Sequence, residues 1–251
     1  TFASQYTSAE IYNNSLIVVS GEKSRYISYY DIYPTSYQYD ETAGYYEETS
    51  YNGEGALTSA INYVTSDETA IAYLLEGHGE KSLPTVFAEA IEQENITTKS
   101  LNLITEGEIP KDCQTLIIFG PTADISSKEK KILSSYLESG GNLLLMTDCL
   151  NQRLENLYDL MEDYGVELVD GMLVEGNENY FAQGYANYLV PQLESHEITD
   201  PLIEANYFVM MPIAQGLEIK ADAEEEEDLQ ITPLLMTTEE AFSKIEGLEA
   251  S

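Results

Sequence analysis

From residue 54 onward, short uninterrupted apolar runs alternate with apolar stripes at helical spacing, and glycine or proline separates them. Ala56, Leu57, Ala60, Ile61 and Val64 fall on one face of a helix starting near Glu54. Ile71-Ala72-Tyr73-Leu74-Leu75 then reads as a buried strand, stopping at Gly77-His78-Gly79-Glu80. A helix over 82–93 follows, with Ser82 as N-cap, Pro84 in the first turn, and Leu83, Val86, Phe87, Ala90 and Ile91 facing inward. Thr98 to Leu103 suits a less buried strand, whereas Thr115-Leu116-Ile117-Ile118-Phe119 is a continuous run of the kind covered on both faces in a parallel sheet. Ser126 and Glu129 make a capping box for a helix over 127–139, striped by Ile132, Leu133, Tyr136 and Leu137 and closed by Gly140-Gly141. Leu143 to Met146 is the next strand. Leu154, Leu157, Leu160, Met161 and Tyr164 line a helix over 153–164 that ends at Gly165.

Strand and helix alternating at this spacing predict an α/β fold: a doubly wound, flavodoxin-like, mainly parallel sheet. Two extensions accompany it. Toward the N-terminus, Ser15 to Val19 and Tyr26 to Ile32 read as a β-hairpin across a Ser20–Ser24 turn, followed by a tyrosine-rich stretch from Tyr33 to Tyr51. Toward the C-terminus, 166–174 and 207–219 read as further strands, 221–228 as an acidic loop, and Thr237 with Glu240 as the cap of a short last helix. The expected organisation is an N-terminal β and tyrosine-rich segment, 1–52, packing on a flavodoxin-like domain, 53–251, with a C-terminal β extension.

Composition narrows the classes of function. The 251 residues are 43% hydrophobic, enough for a core of ordinary size. Forty-five acidic against 11 basic side chains give a formal charge of -34, which repels nucleic-acid phosphates and anionic lipid alike. Nucleic acid is thereby excluded as a partner. A cationic partner or calcium is compatible with the charge, as is a solvated surface that keeps the chain in solution. Cys113 and Cys149 precede and follow neighbouring strands, a separation of about 17 Å that no disulfide spans, so the two are not expected to be joined. No apolar run reaches the roughly 18 residues of a membrane-spanning helix. Either the protein is cytosolic, or its anchors lie outside this chain.

Candidate chemistry gathers where strands end, because ligands of doubly wound sheets bind at the carboxyl edge. The Gly77-His78-Gly79-Glu80 turn is the leading candidate, and Thr122, Asp124 and Asp148 follow two other strand ends, so the candidate ligand-binding residues are His78, Glu80, Thr122, Asp124 and Asp148. The same residues have a structural account: the glycines shape the turn, His78 bonds backbone, and Glu80 sits near a helix N-terminus where a carboxylate is favoured. No Walker loop, dinucleotide fingerprint or paired-cysteine zinc spacing occurs, so no nucleotide, nicotinamide or structural zinc cofactor is expected, and the sequence leaves any other metal open. An acyl-transfer site would make Cys149 the nucleophile and His78 or His196 its base, but Thr147-Asp148-Cys149-Leu150-Asn151 lacks the flanking glycines of a nucleophile elbow. Tyr37, Tyr39, Tyr45 and Tyr46 offer a carbohydrate-stacking surface, which with the charge makes a glycan- or cation-binding module the alternative reading.

Five segments in register carry a family resemblance. They are Asn52 to Ile61, Leu75-Glu76-Gly77-His78-Gly79-Glu80, Ile109-Pro110-Lys111-Asp112 with Gly120-Pro121, Tyr136-Leu137 with Gly140-Gly141, and Pro233-Leu234-Leu235-Met236-Thr237-Thr238. Together they resemble the GldG-like auxiliary family of bacterial ABC transport systems over about residues 1 to 240. The resemblance implies a region without catalytic activity on the extracytoplasmic face of the cytoplasmic membrane, anchored by transmembrane segments outside this chain. It also implies a membrane permease and an ATPase as partners, a docking or sensing role, and a core similar to class I glutamine amidotransferases and flavodoxins.

Overall fold

The computed structural model describes residues 2–40, 44–66, 70–150, 152–221, 223 and 229–245, the side chains of 36–48 excepted. Strands β1 (Leu16–Ser20) and β2 (Lys23–Ile27) form an antiparallel hairpin, followed by a one-turn helix α1 (Tyr29–Ile32). Strands β3 (Thr35–Asp40) and β4 (Gly44–Thr49) form a second hairpin, with Tyr39 opposite Tyr45. Helix α2 (Gly53–Thr65) leads to β5 (Ala70–Leu75), α3 (Thr85–Gln93), β6 (Ile96–Leu101), α4 (Leu103–Glu106), β7 (Thr115–Phe119), α5 (Ser127–Glu138), β8 (Asn142–Met146) and α6 (Glu155–Glu162). The remaining elements are β9 (Val166–Val169), β10 (Met172–Val174), β11 (Tyr188–Leu189), β12 (Gln192–Leu193), α7 (Asp200–Glu204), β13 (Met211–Pro212), β14 (Gly216–Ile219), β15 (Leu235–Met236) and β16 (Phe242–Lys244).

The central sheet is parallel and four-stranded, in the order β6-β5-β7-β8, which is the 2-1-3-4 order of a flavodoxin-like fold. Its strands are the four predicted from the sequence, within two residues. Leu116, Ile117 and Ile118 of β7 are buried on both faces, as a central parallel strand requires. At the edge, β8 is only half-covered although its sequence is Asn-Leu-Leu-Leu-Met, and Leu144 is 38% exposed. In the flavodoxin order a fifth strand would extend the sheet beyond β8. Here β9 pairs antiparallel with β14 in a separate two-stranded sheet. The predicted strand regions 166–174 and 207–219 hold β9, β10, β13 and β14, and β10, β13 and β12 pair antiparallel with the unpredicted β16, β11 and β15 in turn.

The chain divides into two compact units, Thr1–Tyr73 with Leu83–Lys99, and Leu74–Ser82 with Ser100–Ser251. Within the first, α2 packs on the β1–β2 hairpin and buries Ala60 and Val64. Within the second, α6 packs on α5 and β9 through Leu157, Tyr158 and Leu160.

Several local expectations are corrected. Residues 29–32 are helical rather than part of the second strand, because the Ser28 side chain accepts from the Asp31 amide and Asp31 accepts from the Ser28 amide, a capping box that outweighs the strand preference of tyrosine. Helix α3 begins at Thr85 with Pro84, not Ser82, at the N-cap; proline keeps the residue before it out of the helical region. Of its predicted inward residues only Ile91 is buried, and Val86 is 79% exposed. On α2, Leu57 and Ile61 are exposed. Thr237 and Glu240 cap no helix. That segment makes a turn into β16, and the neighbouring Thr238 supplies its amide and hydroxyl to the buried Glu175 carboxylate. The side chains of Tyr37, Tyr39, Tyr45 and Tyr46, and most of the acidic stretch 221–228, lie outside the described residues.

Candidate functional site

At the end of β5 the backbone turns through Gly77 and Gly79, both at positive φ, 123° and 73°. A Cβ at Gly79 would collide with Thr122 Oγ1, so this position needs glycine for conformation and for space. The turn drives His78 inward until it is 3% exposed. Its ring lies between two carboxylates: Nδ1 is 3.0 Å from Glu80 Oε1, and Nε2 is 3.1 Å from Glu129 Oε1. The first is a hydrogen bond; the second is an ion-pair contact off the line of an aligned one. Each carboxylate spends its other oxygen on backbone, Glu80 accepting from the His78 amide at 2.8 Å and Glu129 from the Ser126 amide at 2.9 Å.

Glu129 is buried and serves as the third residue of the α5 capping box. Burial alone would raise its carboxyl pKa. The Ser126 backbone and side chain together with the His78 imidazole outweigh it, and hold the carboxyl below its ordinary value. The cluster therefore fastens the end of β5 to the start of α5.

Around it the strand ends are tied together. The Thr122 and Ala123 amides both donate to the His78 carbonyl, at 2.9 and 2.8 Å, and the Lys81 amide donates to the Phe119 carbonyl at 2.9 Å. The Lys81 ammonium pairs with Asp148 at 2.6 Å over Gly120. Asp124 faces away from this group, and its carboxylate accepts from the Asn156 amide (2.8 Å), the Asn156 side chain (2.9 Å) and the Leu157 amide (3.1 Å). It thereby caps α6, whose own N-cap Leu154 offers no side-chain hydrogen bond.

Of the five residues singled out by sequence, His78, Glu80 and Thr122 are brought together, Asp148 joins the same edge through Lys81, and Asp124 is engaged at α6. Sequence reasoning missed Glu129 and Lys81 as members of the cluster. Glu129 was visible as a helix cap, but nothing in the chain marks which histidine its second oxygen meets. Among the described residues no group of three or more His, Cys, Asp or Glu is arranged to hold a metal ion.

Neither Cys113 nor Cys149 is in a disulfide. Cys149 contacts the Ile213 carbonyl at 3.4 Å, and burial and then Asp148 push its pKa above the usual thiol value, the wrong direction for a nucleophile. His78 is engaged on both ring nitrogens, and His196 Nδ1 accepts from the Ile198 amide. In the first unit, a groove of about 580 Å³ is lined by Arg25, Tyr63, Glu89, Glu92 and Asn95. Its guanidinium is taken up by Glu92 at 3.6 Å and by the face of Tyr63.

Residues 70–246 match the family described as an ABC-type uncharacterized transport system. Curated proteins yield no match. Among solved structures, the chain is similar to "mmIFT52 N-terminal domain" at 19% identity with a TM-score of 0.51, covering 69% of this chain and 75% of that one, a likeness of fold alone.

Proposed function

Because the chain belongs to the family of ABC-type uncharacterized transport systems, we propose that it is a GldG-like auxiliary subunit working without catalysis, as a docking or sensing module for a permease and an ATPase. Its place in this reading is the extracytoplasmic face of the cytoplasmic membrane, held there by transmembrane segments outside the chain. Among the described residues no helix is long and apolar enough to cross a membrane.

One observation carries the noncatalytic part: the polar groups at the carboxyl edge of the sheet are spent on one another. His78 faces two carboxylates, Lys81 faces Asp148, Asp124 caps α6, and the Cys149 thiol is disfavoured as thiolate. A nucleophile–base pair within hydrogen-bond reach is the minimum for acyl transfer, and this edge presents its groups as ties between elements. Candidate ligand contact at His78, Glu80, Thr122 and Asp148 would then act by shifting those ties.

Co-purification of the membrane-anchored protein is expected to bring down a permease and an ATPase. The isolated chain should turn over neither ATP, glutamine nor esters. An amidase or esterase activity that disappears in Cys149→Ser overturns the noncatalytic reading.

A further inference from the structure

Between Glu204 and Glu218 the chain carries no charged residue, although acidic side chains dominate it elsewhere. Within that interval Tyr207, Phe208, Met211 and Ile213 are all exposed, Phe208 to 72% and Ile213 to 55%. The segment is fixed in place: Met211–Pro212 pairs with Tyr188–Leu189, the Ile213 amide donates to the Asn187 carbonyl at 2.9 Å, and the Tyr207 amide donates to the Leu202 carbonyl at 2.8 Å. The result is an exposed apolar and aromatic run over residues 207–213, held in place by its backbone.

Ile213 adds a second, independent observation. It sits at φ 55°, where a β-branched residue is strained and glycine is not. The fold thus bears strain to present a side chain that is mostly in solvent and contributes little to the core. Strain of this kind persists at sites of recognition.

We infer that this patch is the docking surface for another protein, one whose contacting face is an apolar cleft rimmed by lysine and arginine. This rests on the reading of the chain as a transporter subunit, and it names the surface used. Aromatic and methionine side chains are the residue types enriched at such interfaces, and methionine adapts to the shape it meets. Charge selects the partner. Glu194, Glu197, Asp200 and Glu204 precede the segment in the chain and Glu218 follows it, with a net charge of -34 behind them. A second copy would bring equal charge against equal charge, whereas a basic rim gains from it.

The test measures binding of the chain to the purified permease–ATPase complex in phosphatidylcholine nanodiscs, with empty nanodiscs alongside. The wild type should bind the loaded discs, and less tightly as salt rises, because the rim charges are screened. Phe208→Ser with Met211→Ser should weaken binding by about tenfold or more, and Val86→Ser, an equally exposed apolar site elsewhere, should not. Ile213→Gly should melt at the same or a higher temperature than the wild type and yet bind several-fold more weakly, which separates docking from folding. Unchanged binding by these variants overturns the patch and leaves the transporter role standing. Equal binding to empty discs assigns the patch to lipid, and wild-type self-association abolished by Phe208→Ser assigns it to a second copy; either outcome overturns the inference. No binding by the wild type removes the transporter reading and this inference together.

Discussion

Glu129→Gln isolates the contact that holds the end of β5 to α5. Glutamine keeps the size of the side chain and can still accept from the Ser126 amide, so the capping box survives and only the charge facing His78 Nε2 is lost. Leaving a buried polar group without its partner costs about 1–3 kcal/mol. The Nε2–Oε1 contact is not an aligned hydrogen bond and Glu80 still faces Nδ1, which together bring the expected loss to about 1–2 kcal/mol. That is a large share of the stability of an ordinary domain, about 5–15 kcal/mol. Urea unfolding of wild type and variant at neutral pH measures it directly as a shift in midpoint at unchanged slope. The difference must also depend on pH in one sense. The folded carboxyl of Glu129 titrates below its ordinary value of 4.5, so its contribution is complete above that value and is lost as pH falls through the lowered one. Wild type and variant should therefore converge in acid. A loss below about 0.5 kcal/mol at neutral pH, the size of an ordinary surface substitution, would refute the reasoning, as would a difference that persists unchanged at low pH.

Further outcomes follow from single contacts. Asp124→Ala should cost about 1–2 kcal/mol, the loss of a helix cap, and should raise amide exchange in the first turn of α6, read by hydrogen–deuterium exchange. Gly79→Ala, placing a methyl against Thr122 Oγ1 at φ 73°, should cost more than the about 1 kcal/mol of an ordinary glycine replacement, and Thr122→Ala should recover part of the loss in a double-mutant cycle of melting temperatures. Native Cys149 should alkylate more slowly with iodoacetamide at pH 8 than the same thiol in the unfolded chain, since burial and Asp148 both oppose the thiolate.

The parallel core was legible because three of its strands, β5, β7 and β8, are apolar runs, and a run such as Thr115–Phe119 has few other ways to be buried. Helix α5 was legible for a different reason, its capping box being local and written in four residues. What escaped depended on distance in the chain. The sequence marks Glu129 as a cap and His78 as a turn residue, but the meeting of the two is made by β5 and α5 together. Asp124 capping α6 is the same kind of fact, since a cap supplied from outside the helix leaves no spacing to read. Where two local signals competed, the cap outweighed strand propensity at Ser28 and Asp31, and the same signature at Thr237 and Glu240 failed because the buried Glu175 took Thr238 as its donor. The exposure of Leu57, Ile61 and Val86 shows that helical periodicity fixes a stripe without saying whether anything covers it.

The half-covered edge strand β8 has a consequence for how the molecule behaves in a crowded solution. Among the described residues no strand pairs with its outer edge, and that edge with its leucines makes a template on which another extended chain could add, the route by which open sheets clump. Other proteins guard such edges with a lysine or a bulge. Here the safeguard is diffuse: the repulsion of two molecules that each carry dozens of carboxylates keeps the edges apart. Solubility is thereby tied to ionisation, so acidification, high salt or a multivalent cation would lift the barrier and let the edges find one another.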